Sequence, residues 1–152
     1  MGKLLLILIV FASCISSKKD YGNSISPIDQ QVELDSILIE SSSRGFYEKL
    51  RISNDSIYFE KKRPDFKFAK PISTAKWEHL ESLVEQIPIV EITKVIPPTK
   101  YYQFDGSAMT NLAVYINGNE IKSQTFDKDN PPKQFKETLN FISNLKNTYL
   151  DH

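Results

Sequence analysis

The chain has 152 residues, one cysteine and equal numbers of basic and acidic side chains. This length predicts one domain with some flanking sequence, and a hydrophobic content of 40% is well above that of a disordered chain. A formal net charge of zero provides no surplus of lysine and arginine to neutralise phosphates, so we expect no nucleic-acid partner.

The N-terminus has the layout of a secretory signal peptide. Lys3 supplies a positive charge, and residues 4–12 are all apolar. A membrane-spanning helix needs about 20 apolar residues to cross roughly 30 Å of hydrocarbon, so this run is too short to span a bilayer. We therefore interpret residues 1–13 as a signal peptide that is removed.

The proposed cleavage site has a recognisable pattern. Residues 11–14, Phe-Ala-Ser-Cys, resemble the lipobox of bacterial lipoproteins, although Phe11 stands where leucine is usual. The resemblance implies cleavage before Cys14, acylation of Cys14 with chains such as palmitate, and a membrane-anchored domain in the cell envelope outside the cytoplasm. The alternative is an ordinary signal peptide cut slightly later, after Ser16 or Ser17. Because Cys14 is the only cysteine, the chain can form no intrachain disulfide.

A flexible tether is predicted between this cysteine and the folded domain. Residues 14–35 are mostly Ser, Lys, Asp, Gly, Asn, Gln and Pro, without a sustained hydrophobic period. About 20 flexible residues have a reach of roughly 25 Å, which lets a domain move above a membrane. We therefore assign residues 14–35 to the lipidated cysteine and tether, and residues 36–150 to a single domain.

The domain is predicted to open with three strands. A mostly apolar run at residues 37–40 indicates a strand buried on both faces, and the polar residues 41–45 end it. A second strand from about Phe46 and a third through residues 57–59 are predicted to form a hairpin, with its turn at residues 54–55.

A helix and a further strand follow. Ser73 or Thr74 is the predicted N-cap, because either hydroxyl can accept a hydrogen bond from a first-turn amide. Pro88 ends the helix, and residues 89–96 are predicted to form a short strand. The apolar residues of the helix recur at steps of three and four and predict one buried face: Trp77, Leu80, Val84 and Ile87.

The C-terminal part predicts a hairpin and a last helix. Asn117-Gly118 is the strongest short hairpin signal, and it predicts pairing of residues 112–116 with residues 121–126. Asn130 is the predicted N-cap of the last helix, with Pro131 in the first helical position. Its apolar stripe comprises Phe135, Leu139, Ile142, Leu145 and Tyr149. This order predicts an α+β fold, a small, mostly antiparallel sheet with two helices packed on one face.

Few residues suggest catalysis or metal binding. The only histidines are His79 and His152, and His79 is predicted to lie about 200° around the helix from Trp77, away from the core. No Gly-x-Ser-x-Gly motif is present, and one cysteine with two scattered histidines does not suit zinc. Residues 127–130 resemble the start of a calcium loop, but Pro131 occupies the next ligand position. We predict no enzyme activity, metal site or cofactor.

Short motifs occur across residues 37–145. They are Gly45-Phe46 after a strand, Leu80, Leu83 and Val84 in a helix, Asp105-Gly106 before a hairpin, and Pro131-Pro132 before a final helix that ends in Leu145. In these motifs the region resembles the emfourin-like family of small bacterial proteins, some of which inhibit thermolysin-type metalloproteases. Arg44 stands where that family usually has a second glycine. The resemblance implies this fold and, in its narrowest form, inhibition of a protease.

The function expected from the sequence is that of a membrane-anchored lipoprotein that binds another protein. Loop aromatics anchor protein partners well, although at least two of those at positions 101–104 could instead cover the end of the core. The alternative function is a structural or assembly-factor lipoprotein without a ligand pocket, and an enzyme comes third. The candidate partner-binding residues are Arg44, Gly45, Phe46, Tyr47, Tyr101, Tyr102 and Phe104.

Overall fold

The computed structural model describes residues 33–150. The predicted signal peptide, Cys14 and nearly all of the predicted tether lie outside the described residues. The described part contains a β-sheet and two α-helices, which confirms the predicted α+β class. Its elements are β1 Leu34–Ser43, β2 Phe46–Ser53, β3 Ser56–Lys62, β4 Phe66–Pro71, α1 Thr74–Glu85, β5 Met109–Ile116, β6 Asn119–Lys122, β7 Phe126–Asp127 and α2 Lys136–Leu150.

The strands are ordered β4-β3-β2-β1-β5-β6, with β7 also paired to β5, and all pairings within residues 33–150 are antiparallel. The central strand, β1, begins at Leu34, two residues before the predicted domain start. Leu34 is buried and pairs with Ile116, and the Asp35 carboxylate accepts a hydrogen bond from the Gly118 amide at 2.6 Å. Pairing with strands on both sides extends β1 through the polar residues up to Ser43, so the predicted break at residues 41–45 comes too early.

Both predicted hairpins form. Asn117 has φ 50° and Gly118 has φ 76°, and two positive values in succession are those of the two-residue turn that matches the twist of paired strands. In the β2–β3 turn, the Asp55 carboxylate accepts hydrogen bonds from the hydroxyls of Ser53 at 2.6 Å and Ser56 at 2.9 Å. Local turn chemistry therefore determines both connections.

Two predicted elements differ from the structure, and one strand was not predicted. Residues 89–94 form a 3₁₀ helix and not a strand, because local bonds such as that from the Glu91 amide to the Pro88 carbonyl, at 2.7 Å, replace ladder bonds. The strand predicted to end at residue 126 divides into β6 and β7, since the buried Ser123 hydroxyl accepts a bond from the Leu112 amide. β4 was not predicted at all.

The start of α2 also differs from the prediction. A 3₁₀ turn at Lys133–Phe135 precedes the helix, and the α-helix begins only at Lys136. Asn130 does not cap it, because it lies well before this start, and its side-chain Nδ2 donates a hydrogen bond to the Thr99 hydroxyl at 3.1 Å. The apolar stripe of the helix is nevertheless where the sequence predicts it, with Phe135, Ile142 and Leu145 buried.

One face of the sheet and the two helices enclose the core. Alternate strand residues such as Ile37, Ile52 and Val114 are buried on this inner face, while the intervening residues, such as Arg51, lie on the outer face. Full burial of each large aliphatic side chain contributes about 1.5–3 kcal/mol. The helices supply the other half of the core with Trp77, Leu80, Leu83, Val84, Phe135, Ile142 and Leu145.

Candidate functional site

The two predicted binding segments meet at one end of the sheet. The Arg44 guanidinium, in the β1–β2 turn, lies 3.3 Å from the Asp105 carboxylate, which directly follows a 3₁₀ helix at Tyr101–Phe104. Both side chains are exposed, so the ion pair contributes little to stability. Its importance is positional, because it joins segments about 60 residues apart. We call Arg44, Tyr101, Phe104 and Asp105 the tip.

The aromatic residues of the tip face solvent. Tyr101 is 61% exposed and Phe104 is 81% exposed, whereas Tyr102 is half-buried. Of these three aromatic residues, therefore, only Tyr102 is placed to cover the end of the core. Large exposed aromatic side chains on a well-defined backbone are typical of protein-contact surfaces.

Asp127 holds the backbone of this turn. Its buried carboxylate accepts hydrogen bonds from the amides of Tyr101 at 2.9 Å and Tyr102 at 2.7 Å, and from the Thr99 hydroxyl. Burial alone would raise the pKa of Asp127, but these three hydrogen bonds outweigh it and lower the pKa below its usual 3.8. Asp127, the first residue of the segment that resembles a calcium loop, therefore fixes the backbone of the aromatic turn.

A glycine allows the turn to close tightly. A Cβ atom at Gly106 would lie 3.2 Å from the Cβ atom of Tyr101, closer than ordinary contacts. The Gly106 amide also donates to the Tyr101 carbonyl at 3.0 Å, and Asp105 has a left-handed φ of 58°. The Asp105-Gly106 pair thus allows the chain to reverse directly behind the aromatic residues.

The remaining residues of the first predicted segment diverge. Phe46 lies towards the inner face beneath the Lys128 ammonium, 4.0 Å from the ring centre. Tyr47 lies on the outer face, where its hydroxyl donates to Glu40 at 3.2 Å, and burial followed by the Glu40 charge raises its pKa. Gly45 is exposed. Of residues 44–47, only Arg44 therefore shares a surface with the aromatic turn.

A second feature, which the sequence analysis did not identify, is a cleft of about 280 Å³ between the inner face and α2. Ser41, Glu48 and Thr110 line it from the sheet, and Leu139, Ser143 and Lys146 line it from α2. Lys128 and Asp129 also line the cleft. It combines apolar walls with a cluster of charged and hydroxyl groups.

The charged cluster is centred on Glu48, whose side chain is only 17% exposed. The Lys128 ammonium lies 2.8 Å from the Glu48 carboxylate, and the Lys146 ammonium lies 3.8 Å from it. Burial lowers the pKa of Lys146; Glu48 opposes this shift, while the positive charges of Lys128 and Lys61 add to it. One carboxylate is therefore shared between two ammonium groups.

The polar residues of the cleft replace apolar ones in the strand pattern. Ser41 and Glu48 occupy inner-face positions of their strands, as does Lys61 beside the cleft, whereas Ile37, Ile52 and other apolar residues are buried at such positions further along. The signal for this cleft in the sequence is therefore the presence of polar residues at strand positions that face the core. Ser41 and Thr110 are buried, and their hydroxyls form a hydrogen bond of 2.8 Å.

Other candidate chemistry lies elsewhere or is lacking in the described part of the chain. His79 is exposed, as predicted, and its ring lies 4.7 Å from that of Phe141. Residues 33–150 contain no group of three or more side chains arranged to hold a metal ion, and no helix in this range is long and apolar enough to cross a membrane. A scan of protein-family models and a search of curated proteins both gave no match.

Proposed function

We propose that this protein is a lipid-anchored lipoprotein of the bacterial cell envelope that binds another protein through the tip. The observation that carries the proposal is the pairing of Arg44 with Asp105, which joins the two segments into one surface that includes the exposed Tyr101 and Phe104. Arginine and aromatic residues are enriched among those that dominate the free energy of protein association.

The rigidity of the tip supports a binding role. Asp127 accepts hydrogen bonds from two consecutive amides of the aromatic turn, so its backbone conformation is held before any partner arrives. Ordering a flexible loop on binding costs free energy, and a preformed loop avoids much of that cost. The tip therefore suits a partner that contacts it without rearrangement.

The anchor rests on the lipobox-like pattern that ends at Cys14. Each buried methylene of an acyl chain contributes about 0.8 kcal/mol, so two or more chains hold a protein stably while one chain is marginal. We expect Cys14→Ser to abolish incorporation of labelled palmitate and to leave unprocessed or soluble protein. Retention of the label by this variant would contradict the anchor.

Site-specific photocrosslinking in cells tests the tip. A photoreactive phenylalanine analogue at position 104 should give a defined adduct with one envelope protein. Val90 is the matched control, since it is 83% exposed but follows Ile89, which lies beside Leu34 and Ile116 at the other end of β1 and β5. Equal adducts at both positions would contradict a specific surface, and no adduct at either would favour the structural or assembly role.

A double variant measures the contribution of the tip to the affinity. Tyr101→Ala with Phe104→Ala should weaken binding of the crosslinked partner by more than about 1 kcal/mol, because both side chains are exposed anchors. The melting temperature should change little. A loss of several kcal/mol of stability would show that these side chains support the fold.

Protease inhibition is the narrowest form of the proposal, and it is supported only by the resemblance to emfourin-like proteins. An assay of the protein against a thermolysin-type protease tests it directly. No inhibition at micromolar concentration would remove this form and leave binding to another protein in place. Inhibition that the double variant at Tyr101 and Phe104 lacks would identify the tip as the inhibitory surface.

A further inference from the structure

We propose that the cleft beneath α2 binds a small amphipathic carboxylate, with its anionic head between Lys128 and Lys146 and its apolar tail along the wall of the cleft. This ligand site is separate from the tip and does not depend on the function proposed for it. The charges, the apolar lining and the volume of the cleft each restrict the class of ligand.

The charge of the cleft favours an anion. Lys128 and Lys146 line it, together with the carboxylates Glu48 and Asp129. Of these two carboxylates, only Glu48 lies within 4 Å of either ammonium group, whereas Asp129 is exposed. A monoanion in the cleft would give the two ammonium groups a second carboxylate partner.

Lys146 is the group most in need of a partner. Lys128 takes the near position at 2.8 Å from Glu48, which leaves Lys146 at 3.8 Å, beyond a normal hydrogen-bond distance. Its side chain is nevertheless 81% removed from solvent, being 19% exposed. A ligand carboxylate could accept hydrogen bonds from Lys146 that Glu48 does not.

Hydroxyl groups provide further donors. Ser41 and Thr110 are buried in the cleft lining and share one hydrogen bond, in which either oxygen can be the donor. Each hydroxyl carries one rotatable proton, so the pair can turn one of its protons towards a bound carboxylate. A neutral apolar ligand could not accept hydrogen bonds from this hydroxyl pair or from Lys146, so it should bind more weakly than a carboxylate.

The rest of the lining suits a short hydrocarbon chain. Ile39, Leu50 and Phe59 from the sheet and Leu139 and Ile142 from α2 line the cleft. A volume of about 280 Å³ lies just below the usual range of about 300–1,000 Å³ for ligand pockets. This volume favours a short-chain or medium-chain carboxylate over a nucleotide or a large cofactor.

Calorimetry with octanoate tests the proposal on residues 14–152 carrying Cys14→Ser, so that no attached lipid competes. We expect octanoate to bind with one-to-one stoichiometry. Two control ligands separate its parts, since 1-octanol has the tail without the charge and acetate has the charge without the tail. Both controls should bind at least tenfold more weakly than octanoate.

Two variants locate the site. Lys146→Met should weaken octanoate binding at least tenfold, because methionine keeps the apolar stem and removes the ammonium. The matched control is Lys76→Met, since the Lys76 ammonium lies 4.9 Å from the centre of the Tyr149 ring, much as Lys146 lies 5.2 Å from that of Phe59. Ser143→Trp should block the cleft from the exposed face of α2 and abolish binding.

The outcomes are distinct once circular dichroism has shown that each variant is folded. Octanoate binding that Lys146→Met and Ser143→Trp weaken and Lys76→Met leaves unchanged supports the proposal. Absence of octanoate binding to the parent chain overturns it, as does equal binding of 1-octanol or unchanged binding to both cleft variants. None of these results bears on partner capture by the tip.

Discussion

The two ends of the inner face of the sheet are formed by the same four strands but carry different kinds of side chain. At one end, Ile37, Ile52, Ile57 and Val114 lie in register across four strands and are each at most 1% exposed. Four residues further along the same strands, the corresponding set is Ser41, Glu48, Lys61 and Thr110. Backbone pairing continues unchanged, so the sheet carries a polar site without losing its ladder.

The space above each end differs accordingly. Between α1, Ile89 and the end of the sheet near Leu34 and Ile116, the remaining cavity is about 20 Å³, enough for one water molecule. Beneath α2 the cleft is about 280 Å³. Apolar side chains such as Leu34, Val84 and Ile116 fill most of the first end, whereas charged and hydroxyl side chains, which are costly to bury without polar partners, line part of the second.

The largest expected effect tests the difference in packing. Leu112→Ala should lower the free energy of unfolding by about 3 kcal/mol, because Leu112 is fully buried and its truncation would leave a cavity in the core. Leu139→Ala is the matched control in the half-buried wall of the cleft, and it should cost about 1 kcal/mol. Urea denaturation of both variants measures the difference, and equal losses would contradict it.

Asp127 gives the next largest effect. Asp127→Asn should lower the free energy of unfolding at neutral pH by about 2 kcal/mol, since the amide cannot accept all the hydrogen bonds that Thr99, Tyr101 and Tyr102 donate. Hydrogen exchange of the Tyr101 and Tyr102 amides should quicken in the variant. Unchanged exchange would show that other contacts hold the tip.

The same residue predicts a pH dependence. Because the pKa of Asp127 is lower in the folded chain than its usual 3.8, its contribution is complete above that value and is lost as pH falls through the lower, folded value. The difference in stability between wild type and Asp127→Asn should therefore narrow below about pH 4. Denaturation curves at several pH values would measure it, and a constant difference would oppose the assignment.

Replacing each of the two lysines beside Glu48 should change the stability by different amounts, both smaller than the loss at Asp127. Lys128→Met should lower stability by about 1 kcal/mol, because it removes the closer ion pair and the contact with Phe46. Lys146→Met should cost less than that or stabilise the fold, since burial lowers the pKa of this lysine and its charged form therefore opposes folding. Thermal melting would reveal the order, and the reverse order would contradict this account of the cleft.

The smallest effect is expected at the tip. Arg44→Ala should change the free energy of unfolding by less than about 0.5 kcal/mol, because the side chains of both Arg44 and Asp105 are exposed to solvent. A larger loss in urea denaturation would mean that the pair is part of the fold. If Arg44→Ala weakens partner binding while the free energy of unfolding changes little, the Arg44 side chain contributes to recognition and not to stability.

Periodicity and turn chemistry in the sequence predicted the elements that depend on neighbours along the chain. The buried faces of both helices follow from steps of three and four residues, and the β5–β6 turn follows from Asn117-Gly118, the only pair whose consecutive positive φ values suit that turn among the described residues. For the tip, the sequence indicated Arg44 and the aromatic loop separately. It did not indicate that they would meet.

Tertiary structure decided what depends on residues far apart in the chain. β4 exists because its Phe68 pairs with Phe59 of β3, although charged residues obscure its pattern in the sequence. The cleft arises because Glu48 lies near Lys128, 80 residues away, and Ser41 bonds Thr110, 69 residues away. Local sequence determines backbone preference and face, but register between distant strands and the position of α2 determine which polar groups share one space.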